Sequence, residues 1–154
     1  LRTSSAFNFE VKSSYSVRIR TTDDLGSFFD EIFIISVTDV NEAPTDIALS
    51  NSTIAENQPV NTVVGTLSTT DPDAGETFTY SLVAGTGSAD NGSFNILGNQ
   101  LRSSEVFDVE TKSSYSIRVR SSDGELFNDV VFIITVSNVN EPPELDNIES
   151  AVLA

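Results

Sequence analysis

The chain has 154 residues, with 8 Lys and Arg against 23 Asp and Glu, so its net charge is −15. That excess excludes nucleic acid and anionic membrane as partners, because both require positive surface, and it suits multivalent cations. Cys and His are both absent, which removes disulfides, Ser–His and Cys–His nucleophile pairs and the commonest transition-metal ligand.

In chain order, the opening "LRTSS" has neither Met nor a signal-peptide pattern, and it is read as part of a longer chain. Segment 1–43 reads as the last three strands of a seven-strand unit, with Tyr15, Val17 and Ile19 on one face and Arg18 and Arg20 on the other. Half a sandwich exposes Phe7, Phe9, Tyr15, Val17 and Ile19, so a larger array or an exchanged strand from a second chain should cover them. From Pro44 to Glu141 about seven short strands follow, near 49–56, 62–69, 77–83, 93–97, 100–104, 114–121 and 129–138. Tyr115, Ile117 and Val119 alternate with Ser116, Arg118 and Arg120; Phe132, Ile134 and Val136 point inward on the last strand. Turn clusters such as "DPDAGE", "GTGSADNG" and "SSDGE" separate the strands, and no window carries a helical period. The fold class is all-β, a seven-stranded antiparallel Greek-key β-sandwich of the Ig-like kind.

The chain repeats itself. "LRTSSAFNFEVKSSYSVRIR" at 1–20 returns as "LRSSEVFDVETKSSYSIRVR" at 101–120, and "IFIISVTDVNEAP" at 32–44 returns as "VFIITVSNVNEPP" at 131–143. A period of about a hundred residues is that of one sandwich domain. The organisation is therefore 1–43, the back half of a preceding repeat; 44–142, a complete repeat; and 143–154, the start of a following repeat or a tail.

Carboxylates gather at particular places. In "FDVE" (107–110) a strand parity with Phe107 and Val109 inward leaves Asp108 and Glu110 side by side; Asp71 and Asp73 bracket a proline; Asp123 ends a strand. Such groups repel unless a proton or cation sits among them. Ca²⁺ takes about 6–8 oxygen ligands from carboxylate, amide and backbone oxygens, the mixture these pieces supply. Taken alone, Asp108 and Glu110 would be a solvated strand face, and Asp71 and Asp73 ordinary turn formers. "DPDAGE" lacks the flanking helices and closing Glu of an EF-hand, with Leu82 in that place. A glycosidase pair needs one carboxyl of raised pKa in a cleft; clustered carboxylates that ionise around a cation do not provide it, so no enzyme is expected.

In this order the marks "AEN" (55–57), "DPD" (71–73), "FDVE" (107–110), "SSDG" (121–124) and the linker "DVNEAP" (39–44) resemble tandem cadherin-type repeats, in the variety found in large bacterial surface proteins. The resemblance covers all but the last ten or so residues. It implies an extracellular or cell-surface location and Ca²⁺ held between neighbouring repeats of the same chain. One inter-repeat junction would use Glu10, Asp39, Asn41 and Glu42 with Asp71, Asp73 and Asp123. A second half-site would use Glu56, Asp108, Glu110, Asn138, Asn140 and Glu141, empty or weak without a following repeat, while Asp23 would serve a junction upstream. Asn8 in place of the Asp seen at 108, Asn138 in place of the Asp seen at 39, and a linker one residue short imply fewer ions than the family's usual complement. The group around Asp71, Asp73, Asp123 and Asn41 is the one expected to hold.

The function so read is Ca²⁺-dependent rigidity in a stalk or adhesin, with a homophilic or a glycan partner left open. The alternative is a carbohydrate-binding β-sandwich module with structural calcium. It lacks Trp, its Tyr15, Tyr80 and Tyr115 have inward parity, and Phe28, Phe29 and Phe127 are expected to pack under the loop before the last strand. The sequons at Asn51 and Asn91 read as chance occurrences.

Overall fold

The structure, a computed structural model, describes residues 2–142, so the expected tail or following repeat at 143–154 lies outside the described residues. The strands are β1 (Ser14–Thr22), β2 (Phe28–Ser36), β3 (Asp46–Leu49), β4 (Thr53–Ala55), β5 (Val63–Thr70), β6 (Thr79–Leu82), β7 (Phe94–Leu97), β8 (Gln100–Ser103), β9 (Ser114–Ser122) and β10 (Phe127–Ser137), with one 3-10 turn at Asn91–Ser93. Residues group into two compact units. Among the described residues, the first takes the chain up to Ile47 with Thr69–Thr79 and Ser121–Asn128; the second takes Ala48–Ser68, Tyr80–Arg120 and 129–142.

In the first unit β1 and β2 form an antiparallel hairpin, in register from Ser14 opposite Ser36 to Thr22 opposite Phe28. Segment 2–13 carries bends and turns but no strand, so two strands stand where three are expected. Asp23 builds the hairpin connection: one carboxylate oxygen accepts the N–H groups of Leu25 (2.9 Å) and Ser27 (2.8 Å). Gly26 there has φ +89°, a conformation that a Cβ disfavours. Phe7 and Ile19 are exposed, as the sequence implies, while Phe9, Tyr15 and Val17 are half-buried.

The other strands form two four-stranded sheets, ordered β4-β10-β9-β6 and β3-β5-β8-β7. All seven expected strands are present, but the first is broken in two. Its front half, β3, joins β5, and its back half, β4, runs parallel to β10 with Thr53, Ile54 and Ala55 opposite Thr135, Val136 and Ser137. Asn51 makes the break: its side-chain amide donates to the carbonyls of Thr53 (2.6 Å) and Val64 (2.7 Å). This is the local side-chain bonding that takes Asn out of regular strands. Gly65 passes close by, and a Cβ on it would lie 2.5 Å from the Asn51 carbonyl oxygen. Because backbone must move to relieve that clash, Gly65→Ala should cost about 1–3 kcal/mol, read as a lowered urea midpoint at unchanged slope.

The core of the second unit includes Ile54, Val64, Leu67, Phe94, Leu101, Phe107, Tyr115, Ile117, Val119, Ile134 and Val136, all buried. Each large apolar side chain so placed contributes about 1.5–3 kcal/mol. The Phe107 ring meets its neighbours at a tilt, its centroid 4.7 Å from that of Tyr115 and 5.3 Å from that of Phe94. The expected inward residues of β9 are buried; on β10 Ile134 and Val136 are buried and Phe132 half-buried.

Two local expectations are corrected. "FDVE" is a turn, not a strand: Lys112 N–H donates to the Asp108 carbonyl at 2.9 Å. Phe107 is nonetheless buried and Asp108 and Glu110 exposed. Phe28, Phe29 and Phe127 do not pack under a loop; they open strands β2 and β10 and are exposed. Both sequon amides are structural, since Asn91 donates to the Val83 carbonyl and accepts from the Arg118 N–H, as Asn51 bridges Thr53 and Val64.

Candidate metal centre

In the first unit the linker, a turn and a loop converge. Turn 9–11 presents Glu10, the linker presents Asp39 and Glu42, and the loop after β5 presents Asp73; one carboxylate oxygen from each lies within 4.8 Å of all the others. Four carboxylates at such spacing cannot all ionise cheaply without a counter-charge. The rest of the expected set is attached through hydrogen bonds. The Glu42 N–H donates to Asp73 (2.8 Å), the Asp73 N–H donates to Asp71 (3.0 Å), and the Asn41 amide donates to Asp123 (3.1 Å).

Three oxygens decide the chemistry. Glu42 Oε2, Asp71 Oδ2 and Asp73 Oδ1 are buried and have no hydrogen-bond partner. A buried unsatisfied carboxylate oxygen is costly, and a hard cation with oxygen ligands removes that cost. The residues therefore fit Ca²⁺. Glu42 feels the crowding in its own titration: burial, then its hydrogen bond with Asp73, then the charges of Glu10, Asp73 and Asp39 push its pKa above the usual carboxylate value.

The set differs from the expected one in emphasis. Asp123 is outside the four-carboxylate group. One of its oxygens accepts the N–H groups of Glu125 and Leu126, both at 2.7 Å. Those two backbone bonds, Leu126 first, and the Asn41 amide hold its pKa low. Glu76, which the sequence did not single out, lines a cleft of about 160 Å³ with Asp39, Asn41 and Asp73. A neighbouring cleft of about 380 Å³ adds Phe9, Glu10, Pro72 and Ala74. "DPDAGE" held a third acid at the right distance for Glu76; only the loop's curvature brings it round.

The second unit holds a sparser group, Glu56, Glu110 and Glu141, again with one oxygen each within 4.8 Å. Glu56 is fully buried and accepts the N–H groups of Val109 (2.9 Å) and Val139 (2.6 Å). The Asn138 amide donates to Glu110 at 2.9 Å, and Asn57, another residue the reading passed over, donates to Glu141. Glu110 has its pKa raised: a backbone hydrogen bond lowers it, but burial, the charges of Glu56 and Glu141, and Asp108 outweigh that bond. Asp108 does not join the group. It caps its own turn, accepting from the Thr111 hydroxyl (2.8 Å) and the N–H groups of Glu110 (2.9 Å) and Thr111 (3.2 Å), and its pKa is lowered, chiefly by Thr111. Asn140 is exposed.

Comparison with known proteins follows the same direction. A cadherin domain profile matches residues 50–137. Human Cadherin-12 is 28% identical over 87% of this chain and 20% of its own length; bovine Cadherin-18 is 32% identical over 90% and 19%. The crystal structure of the protocadherin GammaB4 extracellular domain aligns with a TM-score of 0.64 and 25% identity, covering 86% of this chain and 22% of that one. The chain thus spans about a fifth of each of these relatives. Among the described residues no helix is long and apolar enough to cross a membrane.

Proposed function

The chain belongs to the cadherin domain family, and from that premise we propose that it is a calcium-stiffened segment of a large extracellular or cell-surface protein, serving as stalk or adhesin. The observation that carries this reading is the trio of buried, partnerless oxygens on Glu42, Asp71 and Asp73. The parent protein is read as one of the bacterial cadherin-like surface proteins, the variety that its motifs resemble.

Glu10, Asp39, Glu42 and Asp73 would hold the ion directly, with Asp71 at its edge and Asn41 and Asp123 keeping the linker in place. A bound Ca²⁺ supplies the positive charge that lets these carboxylates approach. The protein's own part is to bring ligands from the linker "DVNEAP" and from the following repeat to one point, so that the metal binds only the assembled arrangement and stabilises it. Neighbouring repeats of the same chain are then the first partners. Two ions would take the charge from −15 to about −11.

The test is a thermal melt in millimolar Ca²⁺, in Mg²⁺ and in chelator. Extracellular calcium modules have a Kd of about 10⁻⁴–10⁻³ M, so roughly tenfold saturation stabilises by about 1.4 kcal/mol and raises the melting temperature by about 3–6 °C. The rise should be Ca²⁺-selective, lost in Asp71→Ala and Asp73→Ala, and kept in Asp46→Ala, whose exposed carboxylate accepts the Ile47 N–H. Identical melts in Ca²⁺ and chelator, or an equal loss in Asp46→Ala, would sink the reading.

A further inference from the structure

Asn91 is the only Asn in the chain that a Gly follows. In that dipeptide no side chain shields the glycine nitrogen, which can attack the Asn side-chain amide carbon. The nitrogen gives its proton to solvent base, a five-membered imide closes and ammonia leaves. Water then opens the imide, to Asp or to the isomer linked through the side chain.

The fold does not require this glycine. Gly92 lies outside the left-handed region, and a Cβ on it would meet nothing within 4 Å. Asn91, in contrast, is structural. β6 ends at Leu82, and the chain that follows completes the edge of β9 without a strand. The N–H groups of Val83 and Asp90 donate to the carbonyls of Arg118 and Ser116, each at 3.0 Å. The Asp90 carboxylate accepts the Ser116 N–H (2.8 Å), and Asn91 Oδ1 accepts the Arg118 N–H (2.9 Å). Asn91 Nδ2 donates to the Val83 carbonyl at 3.0 Å. An amide held at both ends is not free to swing onto the Gly92 nitrogen. The 3-10 turn Asn91–Ser93 fixes the backbone at the same point. Gly92 itself is exposed, so water and base reach it, and conformation is what withholds the reaction.

We infer that Asn91 and Gly92 form a modification site gated by the fold, which deamidates from the state in which segment 83–93 has left β9. The product hinders return. A carboxylate has no proton for the Val83 carbonyl and faces it with negative charge. The side-chain-linked isomer also lengthens the main chain by a methylene. A repeat that has opened is thereby marked, and its β9 edge stays weaker. Nothing in this gate involves the carboxylate clusters, so it holds with or without calcium.

The 154-residue chain is incubated at mildly alkaline pH in millimolar Ca²⁺, folded or in concentrated urea, and conversion at Asn91 is followed by peptide mass mapping. The folded chain should convert at least about tenfold more slowly, the protection that two hydrogen bonds give. Gly92→Ala should keep or slightly raise the melting temperature and slow conversion in urea several-fold, because a Cβ restricts the attacking backbone. Ser116→Ala removes the hydroxyl that donates to the Gly87 carbonyl at 2.8 Å. It should speed conversion of the folded chain about two- to tenfold and leave the urea rate alone. Asn91→Asp, in the place of the product, should lower the melting temperature by about 3–6 °C. Equal rates in the folded chain and in urea overturn the inference, as does a folded rate that Ser116→Ala does not move. An Asn91→Asp chain as stable as its parent overturns it too.

Discussion

Glu56→Ala should lower the stability of the second unit by about 3–5 kcal/mol in chelator, where no metal can be blamed. Glu56 is fully buried, and its two oxygens accept the N–H groups of Val109 and Val139, so one side chain holds the turn after β8 to the segment after β10. Hydrogen bonds to a charged acceptor contribute about 1.5–3 kcal/mol each, and removing the acceptor leaves two half-buried amides without it. Gln would retain one oxygen but turn an N–H₂ donor toward the other amide, so Glu56→Gln should recover no more than about half the loss. Urea unfolding followed by CD reads both variants. A cost under about 1 kcal/mol for Glu56→Ala would mean that water or a backbone shift satisfies those amides and that the carboxylate is not a structural clasp.

Glu42→Gln should act with opposite signs in the two states. Without calcium, the folded protein holds the Glu42 proton more tightly than the unfolded chain does, because burial, Asp73, Glu10 and Asp39 raise its pKa. Stability in chelator therefore falls as pH rises from the unfolded carboxylate value, about 4.3, through the raised folded value. The neutral amide removes that slope, so at pH 7 the variant should be the more stable protein. With calcium the order reverses, since a ligand oxygen and its charge are lost, and affinity should drop about tenfold or more. Melts at pH 5 and 7, each in Ca²⁺ and chelator, separate the cases; Glu110 also titrates upward, so the difference between variant and parent is the quantity to follow. A variant weaker than the parent in both conditions would mean that the crowded carboxylate is relieved by other means.

Where one face of a strand is core and the other water, the sequence was a sound guide. Tyr115, Ile117 and Val119 alternate because a pleated strand must, and the packed residues follow that parity. Asp71 and Asp73 were legible for a related reason, since Asp-Pro-Asp is turn chemistry wherever it occurs. Asp108 was not, because four residues of alternation look the same in a strand and in a turn, and only the bonds to Glu110 and Thr111 tell them apart. The break at Asn51 left only a trace in "IALSNSTIA", where the apolar parity of Ile47 and Leu49 passes to Ile54, while the amide's reach to Val64 is a long-range fact. Nothing in "AEN" signals that Glu56 is buried. The exposure of Phe28 and Phe127 depends on whether a strand begins at them or after them, which hydrophobicity alone does not fix.

The broken first strand also bears on force. Because β4 runs parallel to β10, a pull applied at the two ends of the repeat slides Thr53–Ala55 and Thr135–Ser137 past each other, loading their backbone bonds together in shear instead of opening them one at a time. The clasp of Glu56 onto Val139 lies just beyond the last rung and resists the same displacement. In the proposed stalk, the short parallel pairing that makes this sandwich irregular would be the latch that must slip before the repeat can lengthen.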